Sequence, residues 1–371
     1  MATLSDVSVV LPSLDPDGKL LSVIDGLLEY GFSDIILIND GSKPENLHYF
    51  EEAARHPEVR LLRHEQNRGK GAALKTAFSW VLEHRLHSAG VVTVDGDGQH
   101  HPEDTRACAQ RMLETGALIL GVRDFNQPQV PMRSKKGNHI TSAVFKIFVG
   151  MTISDTQTGL RAIPVSMLQP LCQVYGERFE YETNMLLALK EQALPFQEVK
   201  IRTVYIGENK SSHFRAVRDS WRIYKLILAH FFRYTLSSLL SSVVDIGLFS
   251  LLTALLQGRL TGFFLTAVPI GLARLCSALV NFTLNRCLVF YSKAPVGRAL
   301  LRYCALAIPQ MFVQMLLTDG VFRLLHVGAT RTGLRTLLNT VVMAFLFLCS
   351  YMIQQRWVFS QKKKAQPKQE V

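Results

Sequence analysis

Four apolar runs, at residues 234–256, 261–284, 300–325 and 334–353, constrain this chain more than any other feature. At ~1.5 Å of rise per residue, each reaches across the ~30 Å hydrocarbon core of a bilayer. Lipid offers no hydrogen bonds, so such runs are expected to span as helices that satisfy their own backbone. The charges draw the same boundary. Acidic residues are plentiful up to Asp219, and beyond it only Asp245, Asp319 and Glu370 occur. The chain of 371 residues is 48% hydrophobic and only 19% charged, low in charge for a soluble protein. The expected organisation is a soluble domain over 1–214, a basic juxtamembrane helix over 215–233, four transmembrane helices over 234–359 and a basic tail over 360–371.

Basic residues set the expected orientation. The link between the second and third runs carries Arg286, Lys293, Arg298 and Arg302, and the tail carries Arg356 and Lys362-Lys363-Lys364. The link between the first two runs has only Arg259. Positive-inside asymmetry therefore predicts a multi-pass protein of the cell membrane, with the soluble domain and both termini cytoplasmic. The third link, with Arg323, Arg331 and Arg335, runs against that rule. The N-terminus lacks the basic n-region and long apolar h-region of a signal peptide. Arg215, Arg218, Arg222, Lys225 and Arg233 beside Trp221, Tyr224 and Phe231 read as a helix lying in the membrane interface.

The net charge of +11 suits anionic headgroups and phosphate substrates. Its basic residues flank apolar runs without interleaved aromatics, so nucleic acid is not the expected partner. The six cysteines form no CxxC pair and read as small buried residues of a reducing compartment. Arg233-Tyr234 recurs as Arg302-Tyr303, and Phe290 recurs as Phe359, both at an offset of 69 residues. Two helical hairpins in parallel duplication account for that repeat.

Residues 1–214 alternate β-branched runs with amphipathic stretches, which implies a mostly parallel sheet covered by helices. Strands are expected at 7–11, 34–39, 59–64, 90–94 and 117–121. Helices are expected at 19–30, 44–55, 70–86 and 102–115. In such sheets ligands bind beyond the carboxyl ends of the strands. Three polar clusters hold that position or open a helix beside it. Val94-Asp95-Gly96-Asp97-Gly98-Gln99 places two carboxylates two residues apart, a pattern that can face one hard cation while leaving it open to diphosphate oxygens. Ile38-Asn39-Asp40-Gly41-Ser42 offers an acceptor for a base or ribose, or a plain Asp-Gly turn. Asn67-Arg68-Gly69-Lys70-Gly71 opens a helix whose N-terminus, with Lys70, favours phosphate.

In this order, and followed by Gly121-Val122-Arg123, Arg133-Ser134-Lys135-Lys136, Asp155-Thr156-Gln157-Thr158-Gly159-Leu160-Arg161, Phe179-Glu180-Tyr181-Glu182 and Gly207-Glu208-Asn209-Lys210, these motifs resemble family 2 glycosyltransferases of the GT-A fold. The resemblance is to the subgroup that makes polyprenyl-phosphate sugars, the dolichyl-phosphate mannose synthase and undecaprenyl-phosphate glucosyltransferase type. The four-run half resembles GtrA-like membrane domains. The fold class implied is α/β, a GT-A (Rossmann-like) catalytic domain followed by an all-α transmembrane domain of four helices. The resemblance implies nucleotide-sugar contacts from Pro12, Leu14, Ile38, Asp40, Lys70, Asp95, Gly96, Asp97, Arg202 and Lys210. It implies Mg2+ or Mn2+ held by Asp95, Asp97 and Gln99. An acceptor-phosphate cluster of Arg123, Arg133, Ser134 and Lys135 and catalytic roles for Asp97, Arg123 and Asp155 follow. Asp155 is expected to serve as a residual base, to orient Arg161, or to form a structural ion pair. Two positions depart from the family pattern: Asp15-Pro16 replaces its usual Asn-Glu, and Asn39 replaces its first aspartate.

The implied partners are a nucleotide-sugar, UDP-glucose in the favoured reading, and a polyprenyl-phosphate in the membrane; a homo-oligomer is compatible with both. A lipid phosphate is already largely dianionic at neutral pH, so its attack on an anomeric carbon calls for no general base. Direct displacement would invert that carbon. The alternatives are a GDP-mannose-dependent mannose synthase, a lipid-linked sugar flippase with a nucleotide-sugar-sensing domain, and a polysaccharide synthase. The last would carry Gln-x-x-Arg-Trp, whereas Gln354-Gln355-Arg356-Trp357 is one residue short and reads as an interfacial anchor. Asp245, Arg274, Asn281 and Gln314, costly in lipid, are expected to face the bundle interior or a headgroup path.

Overall fold

The computed structural model describes residues 2–128, 130–203, 216–261, 263–292, 294–326 and 332–359. Lys210, Arg215, Arg331 and the tail lysines lie outside these residues, as do the side chains of Arg133, Arg218, Arg222 and Lys225. The chain divides into two compact units, Met1–Leu226 and Ile227–Val371.

The first unit is built on seven strands: β1 (Val7–Ser13), β2 (Ile35–Asp40), β3 (Val59–His64), β4 (Gly90–Thr93), β5 (Leu118–Arg123), β6 (Arg161–Pro164) and β7 (Phe196–Ile201). Their order across the sheet is β3-β2-β1-β4-β6-β5-β7. All neighbours run parallel except β6, which lies antiparallel between β4 and β5. The central strands β2 and β4 are buried along their whole length, as near-continuous apolar runs covered on both faces should be. Edge strand β3 instead exposes Arg60 and Arg63, which blunts a free edge with charge.

Among the described residues, the helices that accompany the sheet are α1 (Lys19–Glu29), α2 (Leu47–Ala53), α3 (Lys70–His84), α4 (Pro102–Thr115), α5 (Met132–Val144), α6 (Val165–Cys172) and α7 (Glu180–Glu191). Leu20, Val23, Ile24 and Leu27 of α1 share one face and pack with Val9, Leu11 and Leu37 of the sheet and Cys108 and Met112 of α4. The strand order reverses about β1, with β2 on one side and β4 on the other, and a ligand crevice belongs at such a switch point. The turns after β1, β2 and β4 therefore carry the site.

The second unit is helical. Helix α8 (Ala216–Leu256) enters it, followed by α9 (Phe263–Leu284), α10 (Val296–Leu324) and α11 (Thr332–Ile353). Among the described residues, four stretches are long and apolar enough to cross a membrane: Phe231–Leu256, Val268–Val289, Val296–Leu324 and Leu337–Val358. Sequence reasoning set the basic interfacial helix apart from the first span, but α8 runs through both without a break. Between 216 and 256 there is no proline and a single glycine, Gly247, so nothing in the chain ends the helix.

The repeat is present in three dimensions. Single π-helical turns follow α9 and α11, at Asn285–Val289 and Gln354–Val358, again 69 residues apart. Asn285 donates to its counterpart Gln354 at 3.1 Å, and Phe290 stacks on its counterpart Phe359 with centroids 5.1 Å apart. Residues that touch their own counterparts lie on a local two-fold axis, as in an isologous dimer. Around them Tyr234 accepts from Gln354, and Tyr303 donates to Asn281. Among the polar residues expected inside the bundle, Asn281 joins this hub. Asp245 accepts from Ser277 at 2.9 Å, while Arg274, 3.6 Å from Asp245, is 75% exposed along its side chain.

Candidate active site

The site starts from the turn after β4. Val94 is buried, and Asp95, Gly96, Asp97 and Gln99 follow, half-buried. Asp97 closes the turn by accepting from the Gln99 backbone N–H at 3.0 Å, with Gly98 at φ +78°. The Asp95 backbone N–H donates to Nδ1 of buried His100. The loop before β6 closes on the same carboxylate. A Cβ at Gly159 would stand 2.2 Å from Asp95 Oδ2, so only glycine allows this approach. Thr93 fixes that loop by donating to the Gly159 carbonyl at 2.7 Å and accepting from the Arg161 backbone N–H.

Lys70, the first residue of α3, reaches the turn from the other side. Its Nζ lies 2.7 Å from Asp95 Oδ1 and 3.0 Å from Glu182 Oε1, with the lysine side chain only 17% exposed. Burial alone would lower the Lys70 ammonium, but Asp95 and Glu182 hold it above its ordinary value. Burial alone would raise Asp95, and Lys70, with help from His100, brings it down to about 2. Asp97 is pushed up, first by burial and then by the charge of Asp95. Lys70 lies between Asp95 and Glu182, so the neighbouring carboxylates Asp95 and Asp97 share only part of one ammonium and are short of positive charge.

Asp40, expected to line the nucleotide pocket, is buried and engaged internally. It accepts from the backbone N–H groups of Arg68 (2.9 Å) and Gly69 (2.8 Å) and from His64 Nδ1 (2.7 Å). His64 Nε2 in turn lies 3.0 Å from Thr76 Oγ1 of α3. Asp40 thus anchors the glycine turn that launches Lys70. Gly69 itself has φ +104°, a conformation that favours glycine. Pro12 and Leu14 are half-buried at the end of β1, and Ile38 is buried in β2. Asp15 stands where the Asn-Glu pattern is lost. It has φ +48° and accepts from the Lys43 backbone N–H and from Asn46, which ties the β1 and β2 turns together.

A second cation–carboxylate pair lies at the other end of the Gly159 loop. Asp155, fully buried, takes Arg123 through Nε at 2.7 Å and Nη2 at 3.2 Å, a bidentate pair. Asp155 therefore orients Arg123 and not Arg161. Buried Arg161 instead donates to the carbonyls of Thr158 and Glu182, joining the loop to α7. Ser134 and Lys135 are half-buried in the first turn of α5. One turn later Asn138 donates to the carbonyl of Ser154, the neighbour of Asp155. The basic cluster and Arg123 are thereby anchored to one segment. Arg202 is placed apart from them: it pairs with Glu103, and its backbone N–H donates to Asp104 at the start of α4.

Glu182, His100 and Gly159 also belong to the site, although no role for them was expected from the motifs. Glu182 stands within Phe179-Glu180-Tyr181-Glu182, and an acidic residue beside an otherwise apolar helix face was the available signal. As for a metal, Asp95, Asp97 and the Gln99 amide supply oxygen donors, which suit a hard divalent cation. No group of three or more His, Cys, Asp or Glu side chains that could hold a metal occurs among the described residues. Two carboxylates short of positive charge fit an ion that a diphosphate completes, and do not fit a fully protein-bound one.

Residues 8–171 match the glycosyl transferase family 2 model, and residues 233–359 match the GtrA/DPMS transmembrane domain. A UDP-N-acetylglucosamine–dolichyl-phosphate N-acetylglucosaminyltransferase of Methanococcus voltae is 28% identical over 217 residues, 54% of this chain and 86% of that protein. A dolichyl-phosphate beta-glucosyltransferase of Dictyostelium discoideum is 27% identical over 247 residues, 58% of this chain and 73% of that protein. Among solved structures, glucosyl-3-phosphoglycerate synthase of Mycobacterium tuberculosis with uridine diphosphate overlays with a TM-score of 0.47 at 17% identity, covering 60% of this chain and 79% of that one.

Proposed function

The chain is a glycosyltransferase, a family 2 domain joined to a GtrA/DPMS transmembrane domain in a multi-pass membrane protein, and from that premise we propose that it moves a hexose from a nucleotide-sugar to the phosphate of a polyprenyl-phosphate lipid. The observation that carries this reading is one cation–carboxylate pair at each end of a single loop, Lys70 on Asp95 and Arg123 on Asp155. Such a loop can hold an anionic donor on one side and an anionic acceptor on the other. The names of the Methanococcus voltae and Dictyostelium discoideum relatives, both acting on dolichyl phosphate, support a lipid phosphate as acceptor.

Donor diphosphate belongs at the Lys70 end, with Asp95, Asp97 and Gln99 to hold Mg2+ or Mn2+. That ion, when bound, supplies charge stabilisation to the departing diphosphate. Acceptor phosphate belongs at the Arg123 end, with Ser134, Lys135 and Arg133 beside it. Arg123 is held in one orientation by Asp155, so it can position the attacking oxygen without reorganising. Asp155, buried and doubly bonded to a guanidinium, is poorly placed to take a proton. The reaction calls for none to be taken, because the lipid phosphate is already the nucleophile. In-line attack then inverts the anomeric carbon.

UDP-glucose is the favoured donor and GDP-mannose the competing one. The catalytic unit and both termini are assigned to the cytoplasm, where nucleotide-sugars are made, in keeping with Arg233, Arg286, Arg302 and Arg356 clustered at one end of the spans. The purified full chain in lipid nanodiscs, given polyprenyl-phosphate and radiolabelled UDP- or GDP-sugars with Mg2+ or Mn2+, should form an organic-extractable, acid-labile glycosyl phospholipid. Label that enters a growing polysaccharide, or none in the lipid phase with any donor, would overturn the proposal.

A further inference from the structure

Resting on that reading of Asp95 and Asp97, we infer that Lys70 is a resident counter-cation of the metal site, which a divalent ion displaces efficiently only when a nucleoside diphosphate is there to receive it.

The geometry limits what can move. Asp95 is confined from behind, because its Oδ2 abuts Gly159 too closely for even a methyl group. Glu182 is confined from below: its neighbour Tyr181 is buried and donates to the Leu171 carbonyl at 2.9 Å, and its own carbonyl accepts from Arg161 at 2.8 Å. The start of α3 is confined by Asp40 through Gly69 and by the Glu177 carbonyl, which accepts from the Ala72 backbone N–H. With these backbones held, the longest adjustable part is the four-carbon stem of Lys70.

Lys70 Nζ lies 2.7 Å from Asp95 Oδ1, on a carboxylate that would also help to hold the metal ion. An ammonium and a divalent cation on the same carboxylate repel each other strongly in a half-buried site. Without a nucleotide, Lys70 displaced from Asp95 would have only Glu182 to turn to. A diphosphate offers the ammonium a second anion, so the lysine can turn from Asp95 to a phosphate oxygen while Glu182, 3.0 Å away, retains it. Metal and nucleotide then tighten each other, and by linkage the coupling is reciprocal. Glu182 acts as the pivot, a positioning residue on α7 that need not touch the donor.

The test measures Mn2+ uptake by the full-length protein in nanodiscs, read from the free-ion electron paramagnetic resonance signal, alone and with UDP or GDP. The parent should bind Mn2+ weakly alone and about tenfold or more tightly with nucleotide. Lys70→Met should bind Mn2+ alone about tenfold more tightly than the parent, with most of the nucleotide's enhancement gone. Glu182→Gln, which leaves the ammonium to Asp95, should bind Mn2+ alone more weakly than the parent. Asp97→Ala should lose the tight binding, which identifies the site being read. Nucleotide-free affinity that is unchanged or weaker in Lys70→Met, or unchanged in Glu182→Gln, overturns the inference and leaves the metal site standing. A parent that takes up no Mn2+ with either nucleotide overturns both.

Discussion

At the residue scale, the function turns on which carboxylate faces which cation. Asp155 is fully buried and Arg123 mostly so, which makes their pair an internal support for the group proposed to meet the acceptor phosphate. Asp155→Asn keeps the shape but removes the charge, and breaking a buried pair costs roughly 3 kcal/mol or more. The variant should melt measurably lower and lose turnover, while donor affinity, read by nucleotide titration, stays near that of the parent. Unchanged kcat in a folded Asp155→Asn protein would deny the pair its positioning role. Asp155 was legible in the sequence as a candidate, but its partner was not. Arg161 is six residues away along the chain and looked the natural choice. It is β6, entering antiparallel between β4 and β5, that turns Arg161 inward to α7 and leaves Asp155 to Arg123. Asp40 shows the same limit: its place after β2 could be read, but its three internal bonds depend on where the Gly69 turn folds back.

At the element scale, long periodic runs were readable and short ones were not. Strands β1 to β5 and the helices between them follow from apolar runs bounded by turns. Strand β6 is as short as β4 but lacks its run of valines, since Arg161 and Pro164 bracket only Ala162 and Ile163, and β7 alternates only partly as an edge strand. The first turn of α5 carries the basic cluster, with Ser134 and Lys135 half-buried and Met132 and Ile140 exposed nearby on the same helix. A clamp on one lipid phosphate would contribute charge-assisted hydrogen bonds of about 1.5–3 kcal/mol each. General attraction to anionic lipid contributes about 1 kcal/mol per basic residue and is screened by salt. Ser134→Ala combined with Arg133→Ala should therefore raise the apparent KM for polyprenyl-phosphate, or lower its turnover, at both low and high salt. Nucleotide-sugar affinity should hardly change. A defect erased by high salt, or one in donor binding, would assign the cluster to the membrane surface or to the donor.

At the scale of the whole molecule, the two units solve different problems. Met1–Leu226 has a core of its own, in which helices from both sides bury β1, β2 and β4, and the proposed donor and acceptor groups all belong to it. Ile227–Val371 is a duplicated hairpin pair whose counterparts Asn285 and Gln354, and Phe290 and Phe359, meet on the local axis, while leucines, valines and phenylalanines cover its exterior. The duplication was visible in the sequence through Arg-Tyr and Phe at one offset. The hub was not, because polar residues in an apolar run reveal a need for partners without naming them. This division separates chemistry from delivery. A chain ending after residue 215 keeps the groups proposed to hold nucleotide, so its nucleotide affinity should stay within a few-fold of the parent's. A long polyprenyl tail, however, stays in the bilayer and brings its phosphate only to interface depth, and a domain free in water must find it there unaided. The truncated domain should transfer sugar to a short, water-soluble prenyl phosphate but turn over a full-length carrier in nanodiscs far more slowly than the intact chain, a loss of effective concentration rather than of catalysis. Equal rates on the full-length carrier would show that the membrane unit takes no part in presenting the acceptor.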